Sequence, residues 1–398
     1  MSRNDFRRRQ AQRQRRKLVR HLPIILALFL AFSALAAGVF ALTRFVLNRQ
    51  PISSASASSS TAKTTSEDPA QPISSPASGT LAQAAYIAAG YDYDRAIALI
   101  KEDSSLAEDP AALEAITSYE EAKASLLPAD VQNVPHVFFH SLIMDTAKAF
   151  DGDSRTPGYN SVMTTKDEFL KMLDAFYEDG YVLVRIRDIA SETTDENGNT
   201  VFSWGEILLP EGKKPLVMSQ DDVCYYPYME KDGFARRIVI GEDGKPTAEM
   251  VMEDGSISTG PYDLIPILED FIEEHPDFSY KGARAIIAFT GYEGILGYRT
   301  AASYSDSPNY EQDREQAAKV AQCLKDNGWE LASHSWGHLW MGVSSVPGET
   351  FKISDERFYT DTDKWEAEVE SLIGPTDIYI YPNGNDVADW RPYTAVSY

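Results

Sequence analysis

Two acidic residues stand side by side at Asp221-Asp222, and two histidines stand four apart within His334-Ser335-Trp336-Gly337-His338. Two imidazoles and a carboxylate make a set of nitrogen and oxygen ligands suited to zinc or a related divalent ion, with positions left open for water and substrate. A second carboxylate beside such a site, not itself a ligand, is placed to act as a base. Each piece alone has a plain explanation, because paired aspartates are usually solvated loop surface and spaced histidines also cap and fill loops. Their weight comes from where they stand.

Each group follows a β-type run. Residues 214–219 lead into Asp221-Asp222, residues 329–333 into His334, residues 377–381 into Tyr381-Pro382-Asn383-Gly384, and residues 137–139 into His140-Ser141. Three of the six histidines thus stand at expected strand ends. Helical signals lie between the strands. Thr165-Lys166-Asp167-Glu168 is a capping box that opens a helix with the apolar stripe Phe169, Leu173 and Phe176, closed by Gly180. Residues 181–186 and 285–290 read as further strands, and residues 312–327 and 363–372 as further helices. Alternating strands and helices predict parallel pairing in an α/β barrel or sheet, with the chemistry at the C-terminal strand ends. Residues 237–253 read as a hairpin around Glu242-Asp243-Gly244 and residues 339–360 as a long loop. Gly291-Tyr292-Glu293-Gly294 with Gly297-Tyr298-Arg299 reads as a groove wall, and Tyr225, Tyr226, Trp336 and Trp340 as sugar-stacking or core aromatics. Two cysteines are too few for a disulfide framework, although a single Cys224–Cys323 bridge stays open; Cys224 is expected to be buried rather than reactive.

In order, Ser219-Gln220-Asp221-Asp222, His334-Ser335-x-x-His338 and Tyr381-Pro382-Asn383-Gly384 resemble the motifs of the polysaccharide deacetylase family, carbohydrate esterase family four, over residues 134–398. The most specific part is the H-[ST]-x-x-H match after the lead-in from Gly328 to Ser333. The resemblance implies an irregular (β/α) barrel and metal-dependent removal of acetyl groups from an N-acetylated glycan. By position it implies Asp221 as general base, with Asp222, His334 and His338 as ligands of a divalent metal such as Zn2+. It also implies an oxyanion donor at a backbone N–H near Asn383, with Tyr381, Pro382 and Trp336 beside the substrate. Family members usually take their general acid from a C-terminal Leu-x-His strand, yet no histidine follows His338. Some members resemble a circular permutation with that strand first, and Phe138-Phe139-His140 matches it, implying His140 as the acid. Three departures bear on the site: Gln220 and Val223 replace the usual Phe and Gly around the aspartate pair, Ile380 stands where an Arg often orients the base, and Asn383 where a Tyr is usual. The chain ends 14 residues past Gly384, so the barrel is expected to be cut short or to close unusually.

Charge divides the chain. Against a net charge of -23, the first 49 residues carry +10 and the remainder -33, which argues against nucleic acid as partner of the body. A hydrophobic content of 43% and an aromatic content of 11% exclude global disorder. Residues 1–20 form a basic cytoplasmic tail, and residues 21–47 a signal-anchor whose 21-residue uncharged stretch, 22–42, spans roughly 31 Å as a helix. The basic flank predicts N-inside topology, a single-pass cell-membrane protein with its body extracytoplasmic. A cleaved signal peptide ending near Ala34-Leu35-Ala36 is the competing reading. A Ser/Thr/Pro-rich linker at 48–80 and a helical stalk at 81–130 would then carry the 134–398 domain. The expected function is a membrane-anchored extracellular deacetylase of an N-acetylated polysaccharide. An O-acetyl esterase on a polymer such as xylan and an inactive glycan-binding barrel are its competitors.

Overall fold

The structure is a computed structural model that describes residues 79–342 and 353–385. The basic tail, the expected anchor at 22–42 and nearly all of the linker lie outside the described residues. Among those described, no helix is long and apolar enough to cross a membrane. Three helices come first: α1 (Thr80–Ala89), α2 (Tyr93–Glu102) and α3 (Pro110–Ala124). Asp109 caps α3, accepting from Ala111 N at 2.8 Å and Ala112 N at 3.0 Å, with Pro110 in the first turn where its missing N–H costs nothing. The helices share a small core of their own and also lie against the body. Tyr91 stacks on Tyr280 and donates its hydroxyl to the Asp277 carbonyl at 2.9 Å. Gly90 permits this approach, since a Cβ there would sit 2.9 Å from the Ser279 carbonyl oxygen.

The body is built on five short parallel strands: β1 (His136–Phe139), β2 (Tyr181–Leu183), β3 (Lys214–Gln220), β4 (Ile286–Phe289) and β5 (Glu330–Ser333). Their order is β5-β4-β3-β1, with β2 also paired to β3. Both faces of this sheet are covered, so its strands are apolar runs rather than alternating ones. On one face Leu216, Met218, Ile287, Phe289 and Leu331 pack with α4 (Lys166–Glu178), α5 (Leu264–Glu274) and α6 (Tyr310–Asp326). On the other, Val217, Ile286, Ala288 and Ala332 pack with Val182, Ile207, Tyr280 and Ile378. The capping box at the start of α4 is formed: Thr165 N donates to Glu168 at 2.9 Å, and Glu168 N to Thr165 Oγ1 at 3.2 Å. The antiparallel hairpin joins Arg237–Ile240 to Pro246–Val251, and Ile257–Gly260 adds a third strand.

Several expectations are corrected. Among the described residues the sheet is open, so strand pairing does not close the expected barrel. The strand expected at 377–381 reduces to one parallel bridge, Ser333 to Tyr379, because Pro382 and a left-handed Asn383 (φ 60°) turn the chain away. The run at 181–186 stops at Leu183, where the Asp188 carboxylate accepts from Arg185 N at 3.0 Å and starts a helical turn. The helix expected at 363–372 starts earlier, as α7 (Asp355–Trp365) capped by Ser354, so the end of the expected 339–360 loop is helical. Cys224 and Cys323 are both free and buried, and no bridge joins them.

Candidate metal centre

Register assembles the site. Phe139 pairs with Gln220 across β1 and β3, so His140 follows one strand where Asp221 follows the other. Phe289 pairs with Ser333 across β4 and β5, and the next amide, His334 N, donates to the Phe289 carbonyl at 2.9 Å. The chain kinks at these ends: Asp222 (φ 57°), Ser335 (φ 62°) and His338 (φ 52°) are left-handed without being glycine. Such backbone costs on the order of 1–3 kcal/mol per residue and persists only where surrounding contacts enforce it.

Asp222, His334 and His338 converge, each offering one ligand atom within 4.8 Å of the others. His334 Nε2 lies 3.9 Å from Asp222 Oδ1, and His338 Nε2 lies 3.7 Å from Asp222 Oδ2. One ion bonded at about 2.0–2.2 Å to each can bridge such separations. Two further observations fit a cation. His334 Nδ1 donates to the Ile380 carbonyl at 2.8 Å, which leaves Nε2 with its lone pair toward Asp222. Asp222 Oδ1 is buried and, among the described residues, has no hydrogen-bond partner. His334 is only 2% exposed, and burial pushes its pKa down to about 4, against the opposing pull of Asp222, so the imidazole is neutral at physiological pH.

The neighbouring Asp221 sits in a different environment. It is 6% exposed, and burial raises its carboxyl to about 7, with the Asp222 charge adding to the rise. Ser219 pulls the other way by donating its hydroxyl to Asp221 Oδ1 at 2.9 Å. That proton is committed to Asp221, so His136 Nε2, 2.9 Å from Ser219 Oγ, is the donor in the next link. His140 lies at the same rim, its Nε2 3.9 Å from Asp222 Oδ2 and its Nδ1 3.1 Å from the Val162 carbonyl. Ile380 carries no charge to orient Asp221, but its carbonyl holds His334, and the bridge of Tyr379 to Ser333 ties Tyr381, Pro382 and Asn383 to the end of β5.

The loops behind Asp222, His334 and His338 are pinned from distant positions. Gln220 donates to buried Asp263 at 2.8 Å, and Asp263 also accepts from Leu142 N at 2.8 Å and from the Tyr225 hydroxyl. Tyr225 is therefore core, not a sugar platform. Arg299 is not a groove wall either: its guanidinium donates to the Cys224 carbonyl at 3.2 Å and to the Tyr225 carbonyl, fixing the turn after Asp222. Trp336 is half-buried, with Lys364 4.5 Å above its ring. A Cβ at Gly291 would come within 2.4 Å of Trp336, so glycine is required there. Trp340 is 47% exposed. Asp361, at 6% exposure, accepts from Ser335 Oγ (2.7 Å), Trp336 N (2.7 Å) and Gly337 N (2.8 Å), the three residues between His334 and His338. Sequence reading named Ser219 only as part of the motif, without its bond to Asp221, and missed Asp361 and His136. The position of Ser219 two residues before Asp221, on the same strand face, was the available signal for its bond; Asp361 had none.

No family profile and no curated protein sequence matches the chain. Among solved structures, a de-N-acetylase from Aggregatibacter actinomycetemcomitans is similar at a TM-score of 0.32 and 17% identity, covering 64% of this chain and 82% of that one. A likeness this low supports no inference about activity, which is read from the site alone.

Proposed function

We propose that the chain is a membrane-anchored, metal-dependent deacetylase that removes N-acetyl groups from an extracellular polysaccharide, on an open variant of the polysaccharide deacetylase barrel. One observation carries this reading: Asp222, His334 and His338 converge at adjacent strand ends, with the second nitrogen of His334 already engaged by a carbonyl. These three would hold a divalent ion, Zn2+ by the chemistry of the set, which would supply Lewis acidity toward an acyl oxygen and toward water. Asp221, next in the chain and held by Ser219, takes a proton from the water that attacks the acetyl carbon. A backbone N–H near Asn383 donates to the oxygen that gains charge, with Tyr381, Pro382 and Trp336 beside the sugar. His140, in its protonated form, gives a proton to the leaving nitrogen as the C–N bond breaks, and acetate and a free amine result. The uncharged stretch at 22–42 anchors the body outside the membrane, with residues 1–20 inside.

The test is metal content of the purified chain beside acetate release from N-acetylglucosamine oligomers and from acetylated xylan. Stoichiometric zinc with release from the amino-sugar oligomers is the expected result. Release from xylan alone would make the protein an O-acetyl esterase. Absence of any stoichiometric divalent metal would defeat both.

A further inference from the structure

The metal ligands His334 and His338 are held by a loop that its own backbone does not favour, since Ser335 and His338 are both left-handed. What enforces that shape comes from α7. Asp361 places one carboxylate oxygen on Ser335 Oγ and Trp336 N, both at 2.7 Å, and the other on Gly337 N at 2.8 Å. Ser335 Oγ in turn accepts from Leu339 N at 3.0 Å, carrying the restraint past His338. Four residues along the same helix, Trp365 donates its indole N–H to the Phe289 carbonyl at 2.8 Å, the carbonyl that also receives His334 N. Positions four apart lie on one helix face. One face of α7 therefore grips the end of β4 with Trp365 and the ligand loop with Asp361. A carboxylate accepting two backbone amides and a hydroxyl is a strong, directional anchor.

We infer that Asp361 is a positioning residue for the metal site: it sets the spacing of the two imidazoles without touching the ion. This rests on reading Asp222, His334 and His338 as ligands. An Asn at 361 keeps the volume but turns an amide NH2 toward one of the N–H or O–H donors that Asp361 accepts, losing at least one bond.

The test uses the full chain, Asp361→Asn and Asp361→Ala, with folding checked by circular dichroism, zinc affinity by competition with a chromophoric chelator, and the visible absorption of the Co2+-substituted protein. Partners one step behind metal ligands typically change affinity by about 10- to 100-fold, and a loss of that size with an altered Co2+ spectrum is expected for Asp361→Asn. Should Asp361→Ala fail to fold, Asp361→Asn decides alone. A folded Asp361→Asn protein with a lower metal-free melting temperature but unchanged zinc affinity and Co2+ spectrum would reduce Asp361 to a scaffold residue and overturn the inference. An unmodified chain that binds no zinc would instead remove the metal site itself.

Discussion

The two strand ends that make the site are built in opposite ways. At the end of β3 two adjacent carboxylates face different surroundings: Asp221 is buried with Ser219 as its donor, while Asp222 has an oxygen with no hydrogen-bond partner among the described residues and imidazole nitrogens within 4 Å. At the end of β5 two imidazoles are fixed from behind, by the Ile380 carbonyl and by Asp361 under the loop between them. The β3 end thus separates two like groups by environment, and the β5 end aligns two like groups by scaffolding. Neighbouring acids whose surroundings differ this much can divide ligand and base roles between them.

The harshest way to break this comparison is to remove a ligand. His334→Ala should abolish stoichiometric zinc binding, read by metal analysis after dialysis, because two remaining donors do not make a site. Asp221→Asn should do the opposite: zinc stays bound while acetate release falls by about 100- to 10,000-fold, the usual worth of a positioned general base. If Asp221→Asn loses its metal, the division of labour at the β3 end is wrong.

The parts of this comparison that could be read from sequence are the local ones. Asp222 and His334 announce themselves because each lies just past a β-type run, and the spacing to His338 is short enough to see. What could not be read is whatever reaches the site from far along the chain. Asp361 is one of 60 acidic residues, and only the packing of α7 against β4 shows which loop it holds. Gln220, too, gives no sign in the sequence of its partner, buried Asp263, 43 positions away. The open sheet was likewise illegible, since a single bridge at Tyr379 and a full strand share the same β-rich sequence.

A subtler test sets the two ends against each other through pH in the metal-free protein. Asp221 has its pKa raised from 3.8 to about 7, so its protonated form favours the folded state; that contribution is present below about pH 4 and lost as pH rises through 7. His334 has its pKa lowered from 6.5 to about 4, so its contribution is present above 6.5 and lost as pH falls toward 4. The slopes oppose each other in one window, each on the order of a few kcal/mol in total. Denaturant melts with chelator present should therefore show a shallow dependence in the unmodified chain. Asp221→Asn should become more stable than before, relative to the parent, as pH rises from 4 to 7, and His334→Asn should show the reverse trend. Parallel profiles for all three proteins would mean that the two ends are not electrostatically distinct.

The smallest effect belongs to Ser219, whose hydroxyl donates to Asp221. Ser219→Ala removes one donor from Asp221 Oδ1 and the acceptor of His136 Nε2, and a single hydroxyl bond is worth about 1 kcal/mol. His136 is exposed at the start of β1, so the imidazole N–H released by the change is open to solvent. Zinc affinity should be unchanged, because neither Ser219 nor His136 belongs to the group that could hold an ion. Turnover should fall by up to about tenfold, the rate equivalent of that bond. Ser219 pulls the Asp221 pKa down, so the acidic limb of the pH–rate profile should move to higher pH when the hydroxyl is gone. A profile that keeps its position while turnover falls would show the hydroxyl holding the strand end in shape without tuning the base, and the β3 end would then resemble the β5 end more than its two carboxylates suggest.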